Sequence, residues 1–286
     1  MGDDARDILL LDTAFTELKR IRIFDGKDER LSKKIKADIE SAEFLDNRRS
    51  QLLLLGSGSV SPTRDSLFIL DLKRNRVDKF GGKEWLGSLL TGKTADLNIE
   101  GATLIDTFLV LANRSNLKSK QNYLIVNGLG AVSYKFSENV TLKQSVSSND
   151  NGLKRRGSAS EAKSHNRAIP LNIEEPSYGI SGLDYSKKKD LLVLTCSSEA
   201  TSSAFADGEI GNSAIGLIQG ISRKLKADSL KVDAWIPLSN IDKRFDKMKM
   251  ESVAIGGEEK NGVVLYLVSD NDDGKSTLFK VRLLLR

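Results

Sequence analysis

Three glutamates recur in segments of matching make: Ile39-Glu40-Ser41-Ala42, Ile99-Glu100-Gly101-Ala102 and Met250-Glu251-Ser252-Val253. A fourth segment of the same kind, Ile180-Ser181-Gly182-Leu183, carries serine in place of the acid. Carboxylates drawn together repel unless a cation neutralises them or one of them holds a proton. Hard cations with a taste for oxygen, Ca²⁺ or Mg²⁺, suit such a cluster. Convergence of Glu40, Glu100 and Glu251 therefore predicts an all-oxygen metal site. The plainer reading is that each glutamate caps backbone amides or pairs with a lysine or arginine, and the residues leave both readings open.

Loops that follow the second strand of each repeat bring further groups: Ser57 and Ser59, Asn113 and Arg114, Ser197 to Glu199, and Asp270 to Asp273. Asn113, Arg114, Asp270 and Asp272 are the expected ligand-binding residues, with Arg114 suited to bidentate pairing with a phosphate or carboxylate. Such loops also serve simply as turns, where Gly, Ser, Asn and Asp are common.

Other chemistries are excluded by what is missing. The single histidine, His165, falls in a stretch rich in Ser, Asn, Lys and Gly, so a Ser-His-Asp triad, a Cys-His pair and multi-histidine zinc sites lack their imidazole. Cys196 is the only cysteine; it cannot form an intramolecular disulfide, and no activating partner is in sequence view. The run Asp270-Asn271-Asp272-Asp273-Gly274 has Val281 where a calcium loop of the EF-hand kind needs a glutamate. Residues Gly87 to Thr94 fit a phosphate-loop pattern, yet a strand of the repeat follows where that motif needs a helix.

The elements that must position the glutamates are short apolar strands. Leu52 to Leu55 and Ser66 to Asp71 follow Glu40; Phe108 to Leu111 and Tyr123 to Asn127 follow Glu100. Leu191 to Leu194 with Ala214 to Ile218, and Val263 to Val268 with Thr277 to Val281, repeat the order. Each copy reads as strand, strand, small polar loop, strand, with a weaker fourth strand such as Val77 to Phe80 or Ser133 to Phe136. Both faces of these sheets are apolar, so neither can face water, and a radial arrangement buries both.

The sequence thus predicts an all-β chain: one propeller domain over residues 1–286, of about five four-stranded blades with six possible. Ile8 to Leu11 and Leu18 to Ile23 match only third and fourth strands, so the first blade is expected to be incomplete. Residues 146–167 are expected to form a flexible insertion between blades, and Trp85 to Leu90 a helical turn or two.

Half-blade residues Ile8-Leu9-Leu10-Leu11-Asp12, the stretch Lys36-Ala37-Asp38-Ile39-Glu40, Leu54 to Ser59, and Leu97 to Gly101 with Asn113-Arg114 resemble an uncharacterised bacterial propeller family. That family is similar to the esterase-like phytase propellers. The resemblance implies a propeller and, by the phytase kinship, a metal-dependent phosphoesterase or esterase as one possible activity. The late start and the 146–167 insertion depart from the family pattern.

Composition narrows the partners. With 39% hydrophobic and 29% charged residues, the chain of 286 residues can bury a sizeable core. No run approaches the roughly 20 apolar residues of a membrane span, and no export signal opens the chain as given. Net charge is +5 with both signs interleaved, and Lys154-Arg155-Arg156 has no aromatic residue beside it, which speaks against nucleic acid. The expected function is binding of a small anionic or cation-bridged ligand at the channel mouth, with the hydrolase and a protein-interaction scaffold as alternatives.

Overall fold

The computed structural model describes residues 4–28, 30–32, 34–90, 94, 96–115, 121–128, 166–200, 209–271 and 276–285. A hairpin of β1 (Asp7–Leu11) and β2 (Glu17–Arg22) comes first. The next sheet runs β3 (Ile39–Phe44), β4 (Gln51–Gly56), β5 (Ser66–Asp71) and β6 (Arg76–Gly81), each strand antiparallel to the one before. After α1 (Lys83–Leu89) come β7 (Ile99–Ile105), β8 (Phe108–Asn113), β9 (Asn122–Gly128) and β10 (Arg167–Asn172) in the same order.

The following sheet consists of β11 (Tyr178–Ser186), β12 (Leu191–Ala200), β13 (Glu209–Gln219) and β15 (Ala234–Pro237). Between the last two strands lie the single turn α2 (Ile221–Lys224) and β14 (Leu230–Lys231), which crosses to the neighbouring sheet and runs parallel beside β10. The final sheet is β16 (Met250–Glu259), β17 (Gly262–Asp270) and β18 (Ser276–Leu284).

Hydrophobic cores lie between successive sheets, as the two-faced apolar strands require. Ile8 and Ile21 of the hairpin pack on Leu54, Phe68 and Leu70. Leu53, Leu55, Leu67 and Ile69 use the opposite face of that sheet to meet Leu109, Leu111 and Ile125. Val110, Ala112 and Leu124 then meet Leu192, Leu194 and Ile218, and Leu191, Val193 and Ile215 meet Val263, Leu265 and Leu267. Alternate residues of one strand thus enter different cores, which is the signature of blades around an axis. Fully burying each of these leucines is worth roughly 1.5–3 kcal/mol.

First strands stand innermost: β3 packs on β7, β7 on β11 and β11 on β16. The expectation of about five blades becomes four blade sheets and a two-stranded hairpin among the described residues. The hairpin tip reaches the last sheet through Phe15, whose ring meets Tyr266 edge-on at 5.4 Å.

Two expectations need revision. The fourth strand of the second blade is β10, paired with β9 from Arg167↔Val126 to Leu171↔Asn122. The intervening chain therefore leaves and re-enters one blade instead of linking two. Residues 133–136, to which a strand was assigned, and residues 146–165 of the expected 146–167 insertion lie outside the described residues. The expected short helix is α1, which buries Trp85, Leu86 and Leu89 in the core between the first two blades. Gly87 and Ser88 of the phosphate-loop pattern lie inside that helix, so the pattern does not begin as a loop.

Candidate functional site: an axial carboxylate cluster

A backbone irregularity recurs at one position of every inner strand. On β3, Ile39 faces Gly56 and Ser41 faces Leu55, leaving Glu40 as the extra residue of a β-bulge. On β7, Ile99 faces Asn113 and Gly101 faces Ala112, which leaves Glu100. Ser181 is skipped in the same way on β11, and Glu251 on β16. A bulge bends its strand and re-aims a side chain that the pleat would otherwise direct sideways. Four bulges in equivalent places thus present three glutamates and a serine as one set.

Glycines beside the bulges let the inner strands close up. A Cβ at Gly101 would stand 2.9 Å from the Leu183 backbone nitrogen, and one at Gly182 would stand 2.9 Å from Ser252 Cα. One carboxylate oxygen from each of Glu40, Glu100 and Glu251 lies within 4.8 Å of the others. Ca²⁺ accepts protein oxygens in flexible geometry while Mg²⁺ holds on to its waters, so an all-protein oxygen cluster would suit calcium better. The fourth member, Ser181, is fully buried, and its hydroxyl has no hydrogen-bond partner among the described residues.

Cations surround the carboxylates. Arg114 Nη1 lies 3.9 Å from Glu100 Oε2, and Lys249 Nζ lies 2.9 Å from Glu251 Oε1. Asn98 Nδ2 donates to Glu100 Oε1 at 2.7 Å. Asp38, two residues before Glu40, accepts from Arg64 at 2.9 Å and Ser57 at 2.6 Å and pairs with Lys36 at 2.8 Å. Burial pushes the Glu100 carboxyl up to about 7; the charges of Glu251 and Asp38 push the same way, while Arg114 and Lys249 oppose them.

The expected ligand residues separate. Asn113 accepts from the Asn98 amide at 2.7 Å and donates to the Asp96 carbonyl at 3.3 Å, and it is 2% exposed. Its side chain is a clip between the end of β8 and the approach to β7. Arg114 does reach the cluster. Asp270 ends β17 with its amide bonded to the Lys249 carbonyl at 3.1 Å, which places it beside the Lys249–Glu251 pair. Asp272 lies outside the described residues. Cys196 is fully buried, and that burial raises its thiol to about 12, so it is no nucleophile.

Sequence reasoning missed a second polar layer three residues farther along the same strands. Glu43 on β3 hydrogen-bonds Thr103 on β7 and is pushed up to about 7, first by burial and then by the charge of Asp184. Asp184 on β11 accepts from the Ile255 amide at 2.6 Å and the Tyr185 amide at 2.7 Å, and burial raises it too. Missed as well were Lys36 and Lys249. A polar residue two places before the bulge in three copies, Asp38, Asn98 and Lys249, was the available signal.

Sheets packed face to face around innermost strands, with acidic bulge residues meeting between them, define a β-propeller with an axial carboxylate cluster. Over residues 1–283 the chain belongs to the family described as "Family of unknown function (DUF6929)". No curated protein matches it. Among solved structures it is similar to the Neurospora crassa Pan2 WD40 domain, at 8% identity and a TM-score of 0.37, covering 97% of this chain and 62% of that one. It is also similar to Saccharomyces cerevisiae Sqt1, at 10% identity and a TM-score of 0.32, covering 86% of this chain and 63% of that one. The chain spans less than two thirds of the length of either. No helix among the described residues is long and apolar enough to cross a membrane.

Proposed function

We propose that this propeller binds a divalent cation, Ca²⁺ in preference to Mg²⁺, at its axis, and through it a small anionic ligand at the channel mouth. The observation that carries the reading is the delivery of three carboxylates to within 4.8 Å by equivalent bulges, with the buried, unpartnered Ser181 hydroxyl in the fourth place. Glu40, Glu100 and Glu251 would hold the ion, and Ser181 would complete the set as a neutral oxygen donor. Asn113 belongs to the scaffold in this reading, while Arg114 and Asp270 flank the ion.

Thermal melting with CaCl₂, MgCl₂ and EDTA tests it. At a Ca²⁺ concentration 100 times the Kd, native-state binding adds about 2.7 kcal/mol, a rise on the order of 5–10 °C for a domain of this size. Mg²⁺ should give less, and Glu251→Gln should abolish the response. Identical melting in Ca²⁺ and EDTA would refute the reading and favour an interaction scaffold that does not use the channel.

A second reading, a metal-dependent phosphoester or ester hydrolase, has one observation in its favour. Three carboxylates within 4.8 Å of one another are the donor set with which a divalent metal could activate water. Turnover of aryl phosphates or aryl esters that is lost in Glu100→Ala would establish it, and no turnover with Ca²⁺ bound would dismiss it.

A further inference from the structure

Opposite charges already meet around the axis before any ion enters: Asp38 with Lys36 and Arg64, Glu100 with Arg114, and Glu251 with Lys249. The side chains of Arg114 and Lys249 are only 11% and 15% exposed, so solvent screens them poorly. A dication seated among the three glutamates would add positive charge beside Arg114 and Lys249, which already face those carboxylates. An anion arriving with the metal offsets that cost.

Arg114 is shaped for that anion. Gly179 lacks the side chain that would occupy its place: a Cβ there would stand 2.5 Å from Arg114 Nε and 2.6 Å from its Cγ. Arg114 Nη2 also donates to Ser197 Oγ at 3.3 Å. The guanidinium is thus fixed by packing and by Ser197 across the blade boundary, while its ion pair with Glu100 is long at 3.9 Å. A fork fixed in orientation from its flank is the geometry that grips two oxygens of a planar or tetrahedral oxyanion.

We propose that the site takes its divalent cation together with a small oxyanion, phosphate or carboxylate, that bridges the metal and Arg114, so that each strengthens the binding of the other. This rests on the cation reading above and adds the class of co-ligand and the coupling. Linkage makes the coupling reciprocal: the factor by which the oxyanion tightens Ca²⁺ equals the factor by which Ca²⁺ tightens the oxyanion.

Isothermal titration of the whole chain tests it, with CaCl₂ titrated in a chloride buffer, in saturating phenyl phosphate and in saturating malonate, and each anion titrated with and without Ca²⁺. The expected result is about a tenfold tightening of Ca²⁺ by at least one oxyanion, mirrored in the reverse titration. Phenyl phosphate acting alone would assign the phosphate class, and malonate alone the carboxylate class. Arg114→Gln should lose the coupling while still binding Ca²⁺ in chloride, and Ser197→Ala should weaken it. Ca²⁺ affinity independent of both anions, or coupling that survives in folded Arg114→Gln, would overturn the inference and leave the cation site standing. Absence of Ca²⁺ binding in every buffer would overturn both.

Discussion

Replacing Glu43 by glutamine should change how stability depends on pH, and the size of the change follows from the carboxyl's surroundings. Its ordinary value is 4.5, and inside the propeller it is raised to about 7, by burial first and by Asp184 second. Between those two values the folded protein keeps a proton that the unfolded chain has released. The stabilisation is therefore complete below about 4.5 and is lost as the pH rises through 7. A gap of about 2.5 units corresponds to at most about 3.4 kcal/mol. Asp184, also raised by burial, acts with the same sign. Glutamine keeps the shape and the donor of the protonated acid but cannot ionise. Urea denaturation followed by circular dichroism should find wild type and Glu43→Gln alike at pH 4.5 to 5. At pH 8.5 the variant should be ahead by about 2 kcal/mol. Stability curves that run parallel from pH 4.5 to 8.5 would refute the reasoning, because groups that do not interact with Glu43 cancel in the comparison and the coupled Asp184 adds to the difference with the same sign.

Cys196 should resist thiol reagents at pH 8 until the protein unfolds, since it is fully buried and its thiol is raised to about 12; fast labelling of the native protein would contradict this. Gly182→Ala would place a Cβ 2.7 Å from Thr195 Oγ1 and 2.9 Å from Ser252 Cα, so a loss of about 2 kcal/mol is expected in denaturant melts. Leu111→Ala, emptying a fully buried position between the first two blades, should cost about 3–5 kcal/mol; a loss under 1 kcal/mol would mean that those sheets do not pack as described.

The fold was legible because burial on both faces leaves a mark in the residues themselves. Leu52 to Leu55 is apolar without alternation, and in the fold Leu54 faces the hairpin while Leu53 and Leu55 face the second blade. Equivalence of Glu40, Glu100, Ser181 and Glu251 was legible from the apolar residue before each. The bulges were not, because an extra residue shows only when both strands of a pair are in register. The backbone contacts of Asn113 were hidden for a related reason: a polar residue at a strand end reads the same whether its amide meets a ligand or the backbone of Asp96 and Asn98. The fourth strand of the second blade escaped notice because Arg167 to Asn172 lies far along the sequence from β9, and a closer alternating stretch, Ser133 to Phe136, offered itself. Glu43 and Asp184 belong to different repeats, and nothing in either one reveals that Thr103 of a third brings them into one layer.

A crystal structure of the protein grown in CaCl₂, with anomalous difference density calculated at the axis, tests the metal centre most directly. The account predicts one calcium peak within coordinating distance of Glu40, Glu100, Glu251 and Ser181. An axis without a peak, with Arg114 still beside Glu100 and Lys249 still beside Glu251, would contradict it.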